Sequence, residues 1–402
     1  MSYERLRSLA EAHRDRVVDL CQRLVRIPSL PSREGELAQF VQAEMERLDY
    51  DRVFRDEAGN VIGFIAGTGS GPRVQFNTHL DHVDPGNPAD WPFPPYEARL
   101  HEGFIWGRGT SDIKGSMAAQ ITALAALKAA GLPHRADWYV VCVVNEEMGG
   151  LGTRHLVRTL PCDCAVIGEP SGNELVRGHR GRAAVVARFR GRSVHASMPE
   201  RGINPHYSAA RFIAGLRDLP MAHDPDLGPS SVTPTLYRTD QTSVNVVPGE
   251  VVLHLDWRLV RGEDEGAILG KLEPLLEASL VDGCQGDVRI PEETITTYTG
   301  FRETRPLVAY PMVTPEDHPL VQVARRALEG VLERPMPPRF WRFTTDGSHL
   351  SRAGIPCIGF GPGDDTIVHT VEERISTDQL VEAVAGYMAL ALALGDLEPL
   401  KR

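Results

Sequence analysis

The sequence predicts an α/β protein in which a mixed sheet carries helices on both faces and the chain is interrupted by a smaller, ferredoxin-like α+β insert. Three observations lead to this prediction. At 402 residues, the chain exceeds one ordinary hydrophobic core. Two continuous apolar runs, WYVVCVV at 138–144 and CAVIG at 164–168, are typical of strands buried on both faces. The middle of the chain then changes to the strand and helix order of a ferredoxin-like unit. We therefore place the insert at 178–293, between the two segments of the larger domain, 1–177 and 294–402.

The first third of the chain alternates amphipathic helices with short apolar strands. Apolar residues recur at helical spacing over 5–25 and 35–48, and a third helix over 113–133 ends at a glycine and a proline. We interpret NVIGFIAG and RVQFNTH as strands, and the TGSGP between them as the connection of a β-hairpin.

The insert and the last third continue the alternation of helices and strands. In the insert, VVLHLDWRLV alternates apolar and polar residues, as expected of a sheet with one face toward solvent or a partner. The predicted order is strand AAVVARFRG, helix PHYSAARFIAGLRDL, strands SVTPTLYRT and VVLHLDWRLV, helix DEGAILGKLEPLLEASL and strand GDVRI. After the insert we predict a helix at 317–331, a buried strand in IPCIGFGPG, and a last helix from residue 376.

Composition and charge argue against several classes of protein. The net charge of −11 argues against a nucleic-acid partner, which requires a basic patch. No run of about 18 uncharged apolar residues is found, so we predict no membrane span. The amino terminus carries acids throughout and has no apolar signal core. Of the six cysteines, Cys142 and Cys357 lie in apolar runs, and CDC at 162–164 lacks a second pair at zinc-finger spacing. We therefore expect a cytoplasmic protein in a reducing compartment.

One short stretch at the end of an apolar strand concentrates candidate metal ligands. NTHLDHVDPG, residues 77–86, contains two histidines and two aspartates within six positions. Residues i and i+2 of a strand share a face. Asp81 could therefore accept the spare ring N–H of His79 and fix its tautomer, as carboxylates do for metal-binding histidines. His82 points to the opposite side, and we interpret it as structural. Taken alone, the stretch is more simply a polar turn.

Four further motifs place acids or a histidine beside the ends of strands and helices. Asp112 in GRGTSDIKG directly precedes a helix, Glu146 and Glu147 follow one buried strand, Glu169 follows another, and His369 lies beyond a third. In open α/β sheets, ligands bind outside the carboxyl ends of the strands. Each acid alone could be a loop carboxylate or a helix N-cap. Together, the five motifs favour a metal centre.

The ligand types indicate which metals the centre could hold. Two imidazoles with three or more carboxylates, and no thiolate, suit zinc, cobalt or manganese. Five ligands exceed what one tetrahedral catalytic ion uses, whereas two ions that share a carboxylate account for them. Asp112 is the natural bridge, since it is a single acid on a tight turn. Glu146 is then left over beside Glu147, and a carboxylate in that place suits the general base and acid of a hydrolysis.

With these motifs, the chain resembles the zinc-dependent deacylases and peptidases related to acetylornithine deacetylase, succinyl-diaminopimelate desuccinylase and glutamate carboxypeptidase. The resemblance extends from IPSLPS at 27–32 to His369, and RGTSDIKG, NEEMGG and GEPSG are close matches. It implies a catalytic α/β domain with two metal ions and an inserted lid that makes a homodimer. It also implies a cis peptide bond after Asp112.

The resemblance also assigns roles to individual residues. Glu146 matches the family's general acid/base, and Asp81 matches the acid that orients the first histidine. The implied ligand sets are His79, Asp112 and Glu169 for one ion, and Asp112, Glu147 and His369 for the other.

Three residues of the insert match substrate-binding positions of the family. His195 matches a histidine that reaches the partner subunit's site and helps to hold the developing oxyanion; without the resemblance it would be a surface-loop histidine. Asn245 and Arg258 match positions that bind the substrate's carbonyl and carboxylate. A guanidinium grips a carboxylate through two parallel hydrogen bonds. Arg258 could instead be structural and pair with Asp256 on one strand face.

The predicted function is that of a dinuclear metal amidohydrolase, which cleaves an N-acyl amino acid or a small peptide with a free carboxylate. A metallo-dipeptidase or carboxypeptidase of the same fold is the alternative, and a non-catalytic metal-binding homologue is a further one. His179 in GHRG replaces part of the arginine pair of the desuccinylases, so a second substrate carboxylate is not implied. WPFPPYEARL, RGHRGRA and FTTDGSHL resemble the selenium-metabolism-linked hydrolases. A phosphoesterase would need basic residues near the ions, where Lys114 is the nearest.

Overall fold

The computed structural model describes residues 2–398 and divides them into two units. The first unit contains the chain up to 179, residues 295–303 and the chain from 312 onward, and the second contains 180–294 and 304–311. Residues 304–311, which the sequence predicts to belong to the larger domain, lie in the second unit. These residues join the second unit because Val308–Ala309 pairs with the strand Arg182–Arg190. The outermost residues of the predicted domain segments, 1 and 399–402, lie outside the described residues.

The first unit is built on a nine-stranded mixed sheet, which confirms the predicted fold class. The central strands run parallel to one another in the order Asp137–Val143, Arg73–His79, Cys164–Ile167 and Cys357–Gly359. The remaining strands of this sheet are Arg52–Arg55 and Val61–Ile65 on one side, and Val176–His179, Met312–Val313 and Arg339–Trp341 on the other.

The predicted hairpin at TGSGP is wrong. Val61–Ile65 and Arg73–His79 are not neighbours, because Asp137–Val143 lies between them, antiparallel to the first strand and parallel to the second. The glycine-rich turn is a local signal, whereas the position of a strand in the sheet is decided by burial. Asp137–Val143 is apolar on both faces, and it therefore needs a strand along each of its edges.

Helices cover both faces of this sheet, as predicted. On one face, Val140 and Cys142 belong to the main core with the helices Gly115–Ala129 and Thr377–Leu394. On the other face, Val141 packs with Leu156 in a smaller cluster. The predicted helix over 5–25 is two helices, which meet at His13. The helices of this unit are Tyr3–Ala12, Arg14–Val25, Gly35–Arg47, Gly115–Ala129, Leu151–Thr159, Pro319–Leu332, Gly347–Arg352 and Thr377–Leu394.

Thr377–Leu394 is long and apolar enough to cross a membrane by length and composition alone, with a mean hydropathy of 1.2. In the structure it is a core helix, and 67% of its length is buried inside the protein. Leu380, Val384 and Met388 belong to the main core. The Tyr387 hydroxyl donates a hydrogen bond of 2.6 Å to the backbone oxygen of Phe360.

The second unit has the predicted ferredoxin-like order. Its antiparallel strands lie in the order Ser231–Thr239, Glu250–Arg258, Arg182–Arg190 and Gln285–Arg289. The helices Pro205–Gly215 and Glu265–Ser279 pack on one face of this sheet, where alternate residues such as Leu253 and Leu255 are buried. The shorter strands pair as Val194–His195 with Val246–Val247, and His223–Asp224 with Gly228–Pro229. The other short strands of the chain are Arg99–His101, Phe104–Trp106, Glu292–Thr296, Arg302–Pro306 and Arg374–Ser376.

Candidate metal centre

The carboxyl ends of the parallel strands bring the predicted ligands together. His79 is the last residue of its strand, Glu147 and Glu169 follow the ends of the two neighbouring strands, and His369 lies in the loop after Cys357–Gly359. Asp112 comes from the turn before the helix Gly115–Ala129. Their ligand atoms form two groups, and within each group these atoms lie within 4.8 Å of one another. The groups are His79, Asp112 and Glu169, and Asp112, Glu147 and His369.

Asp112 directs one carboxylate oxygen to each group. Its Oδ1 lies 2.9 Å from Nε2 of His79, and its Oδ2 lies 2.9 Å from Nε2 of His369. Glu169 Oε1 lies 3.7 Å from Nε2 of His79, and Glu147 Oε1 lies 3.2 Å from Nε2 of His369. This is the arrangement that a bridging carboxylate between two cations requires. The groups contain the same residues as the two ligand sets that the family resemblance implies, and metal binding by them stays a prediction.

The charges of the site fit divalent cations. Burial raises the pKa of Glu169 well above its ordinary value, and the negative charge of Asp112 raises it further. Burial and the charge of Glu169 do the same to the pKa of Glu146. Among the described residues, the main opposing charge at both carboxyls is that of His79. Crowded carboxylates of this kind are what a bound divalent ion would neutralise in place of the imidazole protons.

Both candidate imidazole ligands hold protons strongly in the metal-free protein. Hydrogen bonds to Asp112 and Glu147 raise the pKa of His369 to about 10. Burial lowers the pKa of His79, but the hydrogen bond to Asp112 and the charge of Glu169 outweigh it, and the pKa is raised well above its ordinary value. A metal ion must therefore displace these protons before it can bind the ring nitrogens.

We expect metal binding to release protons and to weaken as the pH falls. Below a pKa of about 10, His369 must lose its proton to bind a cation, so affinity should rise with pH from about pH 6 to about pH 9. The measurement is a zinc or cobalt titration of the chelator-stripped protein at several pH values, with proton release followed by an indicator dye. An affinity that is independent of pH across this range would contradict the expectation.

The turn that carries Asp112 contains a cis Asp112–Ile113 peptide bond, which confirms the prediction. The buried carboxylate of Glu373 accepts hydrogen bonds from the backbone N–H groups of Ser111, at 3.1 Å, and of Asp112, at 3.2 Å. Glu373 also forms a buried ion pair with Arg108. This pair was not predicted from the sequence, although Arg108 lies inside the GRGTSDIKG motif and Glu373 follows His369 by only four positions.

The predicted hydrogen bond from the ring of His79 to the Asp81 carboxylate is wrong. His79 Nδ1 lies 2.8 Å from the backbone oxygen of Asp81 and 3.6 Å from its carboxylate. The carboxylate instead accepts hydrogen bonds of 3.0 Å from the backbone N–H groups of Glu146 and Glu147. The strand ends at His79, so the rule that residues i and i+2 share a face no longer applies at Asp81. The tautomer of His79 is fixed by the backbone carbonyl.

His82 is structural, as predicted. Its Nε2 accepts a hydrogen bond of 3.0 Å from the backbone N–H of Ser29, and its Nδ1 donates one of 2.8 Å to the backbone oxygen of Val83. Burial lowers the pKa of His82 to about 3, so the ring is neutral. Lys114 is also buried, and its Nζ donates a hydrogen bond of 2.7 Å to the backbone oxygen of Ile27. Lys114 is thus occupied within the fold, which argues against the phosphoesterase alternative.

The pKa of Glu146 is raised well above its ordinary value, mainly by desolvation of its carboxyl. The half-buried side chain lies beside the charges of Glu169 and Asp346, which raise its pKa further. Asp346 accepts a hydrogen bond of 2.6 Å from the Thr153 hydroxyl, and burial raises its own pKa to about 6. A general acid/base is most effective when its pKa lies near the working pH. The sequence analysis quoted FTTDGSHL for its family resemblance but did not recognise Asp346 as a neighbour of Glu146.

His195 lies in the second unit, in an exposed two-residue strand. Its Nδ1 accepts a hydrogen bond of 3.2 Å from the backbone N–H of Ser197 and lies 2.8 Å from the Ser197 hydroxyl. The ring proton of the neutral imidazole is therefore on Nε2, where it can be donated to an oxygen outside the chain. The backbone oxygen of the exposed Asn245 accepts a hydrogen bond of 2.9 Å from the N–H of Ala196. His195 and Asn245 thus lie side by side.

Arg258 is paired with Asp256, the structural alternative given above. Its Nε donates a hydrogen bond of 2.6 Å to Asp256 Oδ1, and Arg182 donates one of 2.7 Å to Oδ2 of the same carboxylate. Arg258 nevertheless keeps 37% of its side chain exposed. The roles of His195, Asn245 and Arg258 toward a substrate stay predictions.

Comparison with known proteins identifies the family. Residues 75–393 match the model of Peptidase family M20/M25/M40. The chain belongs to this family. The uncharacterized protein YgeY of Escherichia coli K12 is 32% identical over 378 residues, which are 92% of each chain. Succinyl-diaminopimelate desuccinylase of Alkalilimnicola ehrlichii is 29% identical over 354 residues, which are 84% of this chain and 86% of its own. A crystal structure of the Bacillus subtilis YXEP protein, described as a dinuclear metal-binding M20 peptidase, matches with a TM-score of 0.72 at 15% identity, over 95% of this chain and 98% of its own.

Membership of the M20 family confirms three predictions from the sequence. The family is the one that the motifs resemble, the fold is that of its members, and the protein is a metal-dependent hydrolase of the peptidase and desuccinylase type. The family's dinuclear metal chemistry agrees with the two ligand groups that share Asp112.

Proposed function

We propose that this M20 hydrolase cleaves the amide bond of an N-acyl amino acid, or of a small peptide, that carries a free carboxylate. The observation that carries the proposal is a half-buried carboxyl, Glu146, next to two candidate ligand groups that share Asp112. The similarity to a desuccinylase supports a deacylase. The similarity in fold to the Bacillus subtilis YXEP protein, an M20 peptidase, supports peptides as the alternative substrates.

The five ligands would hold two divalent ions, which we propose to be zinc, with cobalt or manganese as alternatives. When bound, such ions polarise the scissile carbonyl and activate a water molecule for attack. Glu146 takes a proton from the attacking water and then passes it to the leaving amine. Asp81 holds the backbone of Glu146 and Glu147, which keeps the acid/base next to the ligand.

The residues of the second unit would bind the substrate. We propose that Nε2 of His195 donates a hydrogen bond to the developing oxyanion in the site of the partner subunit, as the family resemblance implies. Asn245 would bind the substrate's carbonyl, and Arg258 its carboxylate. This requires a homodimer formed through the inserted unit. The exposed strand Ser231–Thr239, at the edge of its sheet, supports this assembly because its backbone can pair with a second chain.

We also propose a cytoplasmic location. None of the six cysteines, which all lie among the described residues, forms a disulfide bond in the structure, and this fits a reducing compartment.

Substitution of Arg258 tests carboxylate binding. Arg258→Ala should raise KM for an N-acyl amino acid by about 10–100-fold and change kcat less, because a charged hydrogen-bond partner of the bound substrate is lost. Arg182→Ala is the matched control, since Arg182 bonds to the same Asp256 carboxylate. Equal kinetic effects of the two variants would show that Arg258 acts only through Asp256.

The function as a whole is tested by amine release from a panel of N-acyl amino acids and dipeptides, with zinc, with cobalt and with a chelator. Chelator-sensitive release from N-acyl amino acids supports the proposal. Release from dipeptides alone would favour the peptidase alternative. No release from a protein shown to hold two ions would favour a binding protein that has kept the fold.

A further inference from the structure

Two buried carboxylates outside the proposed ligand sets hold the backbone of the segment that carries Glu146 and Glu147. Asp81 accepts hydrogen bonds from the N–H groups of both residues. Glu34 Oε1 accepts one of 3.1 Å from the N–H of the preceding residue, Asn145. The N–H groups of three consecutive residues are therefore directed to carboxylates, which fixes the path of the chain just after the strand ends.

Glu34 binds the backbone of two residues that have a left-handed conformation. Asn145 has a φ of 54°, and Ser32 has a φ of 65°. Glu34 Oε1 also accepts a hydrogen bond of 3.0 Å from the N–H of Ser32, and the Ser32 hydroxyl donates one of 3.0 Å to Oδ1 of Asn145. Left-handed backbone at residues other than glycine persists where surrounding contacts hold it in place. One carboxylate thus ties together two such positions, far apart in the sequence.

Stability alone does not account for a glutamate at this position. Glu34 is completely buried, and burial raises its pKa. Among the described residues, neither its Oε2 nor Nδ2 of Asn145 has a hydrogen-bond partner. Burial of a polar group with incomplete hydrogen bonding costs folding free energy that an apolar side chain would not. The contribution of Glu34 is therefore the backbone geometry that it holds.

We propose that Glu34 is a positioning residue for Glu146 and Glu147. By holding Asn145 in the left-handed turn, it sets the direction in which these two side chains leave the end of the strand. Glu146 would thereby be aimed at the reacting water and Glu147 at the ion that it shares with His369. The kinetic part of this inference rests on the proposed function, whereas the metal-binding part does not.

The test compares Glu34→Ala and Glu34→Gln with a matched control, Glu44→Ala. Glu44 is a buried carboxylate of the adjoining helix Gly35–Arg47 whose partners are Arg47 and Arg23. Cobalt titration of each metal-free, full-length protein measures the affinity for the two ions, and the amine-release assay measures kcat and KM.

We expect Glu34→Ala to weaken binding of one of the two ions by about 10–100-fold and to lower kcat by a similar factor, with less effect on KM, as for other residues that support metal ligands. Glu34→Gln should keep most of the ion affinity and most of kcat, because its amide oxygen can accept hydrogen bonds from the same two N–H groups. Glu44→Ala should change neither. Folded Glu34→Ala protein with wild-type cobalt affinities, or an equal loss in Glu44→Ala, would overturn the proposal.

If Glu34→Ala does not fold, two variants of Asn145 test the same positioning role. Asn145→Gly accepts a positive φ without strain, whereas Asn145→Ala does not. The Asn145→Ala protein should lose more affinity than the Asn145→Gly protein for the cobalt ion that Glu147 and His369 would hold. Equal losses of affinity in the two variants would overturn the proposal. A wild-type protein that cleaves nothing in the panel, but whose variants lose cobalt as described, would reject the proposed function and keep the positioning role.

Discussion

Replacement of Glu146 by alanine should abolish amide hydrolysis while the protein still binds two metal ions. Removal of a general acid/base costs about 10²–10⁴-fold in rate, which would take turnover below detection in most amine-release assays. Glu146 lies outside both ligand groups, so their five members remain in place. The backbone of the segment is also unaffected, since Asp81 binds main-chain N–H groups rather than the Glu146 side chain.

The measurement is kcat together with the metal content of each purified variant. Glu146→Gln is the companion variant, because it keeps the size of the side chain and removes only its ability to take up a proton. Both variants should lack hydrolytic activity and should each bind two metal ions. Normal turnover in either would remove Glu146 from the mechanism, and loss of metal from both would make it a ligand instead.

Asp112→Asn should prevent binding at both ion positions together. An aspartate can present one oxygen to each group, at 2.9 Å from each imidazole, whereas an asparagine has only one oxygen and turns an NH₂ group toward the other side. We expect the affinity for both ions to fall by at least about 100-fold, more than for loss of a supporting residue, and hydrolysis to fall with it.

Comparison with His369→Ala tests whether Asp112 is shared by the two groups. His369→Ala removes a ligand from one group only and should leave one ion bound. Asp365→Asn is the matched control, because it neutralises a nearby loop carboxylate outside both groups. If Asp112→Asn retained one ion at wild-type affinity, Asp112 would be an ordinary ligand and not a shared one.

The sequence was sufficient to predict which residues gather at the candidate site. Glu147 and Glu169 each follow an apolar run, and runs buried on both faces are characteristic of parallel strands whose carboxyl ends share an edge. His79 ends a third predicted strand, RVQFNTH. The interpretation failed where it relied on purely local geometry. Asp81 lies beyond the end of its strand, so its side chain does not follow the alternation, and TGSGP joins strands that are not neighbours.

The supporting acids could not be predicted in the same way. Glu34 and Asp346 are single acids and Glu373 is one of an adjacent pair, all in ordinary loops or helix starts without a run of apolar residues before them. Their partners are distant in the sequence: Glu34 binds the backbone of Asn145, and Glu373 binds that of Asp112. Such contacts depend on which loops the fold brings together, and a single sequence does not contain that information.

The dispersal of the ligands along the chain has a consequence during synthesis. During synthesis His369 leaves the ribosome long after His79, Asp112 and Glu169, and shortly after the parallel strand Cys357–Gly359. A nascent chain that already displays His79, Asp112 and Glu169 therefore has one ligand group complete and the other open. Under the proposed function, a nascent chain without His369 would lack a ligand of the second group and would not hydrolyse the peptides around it.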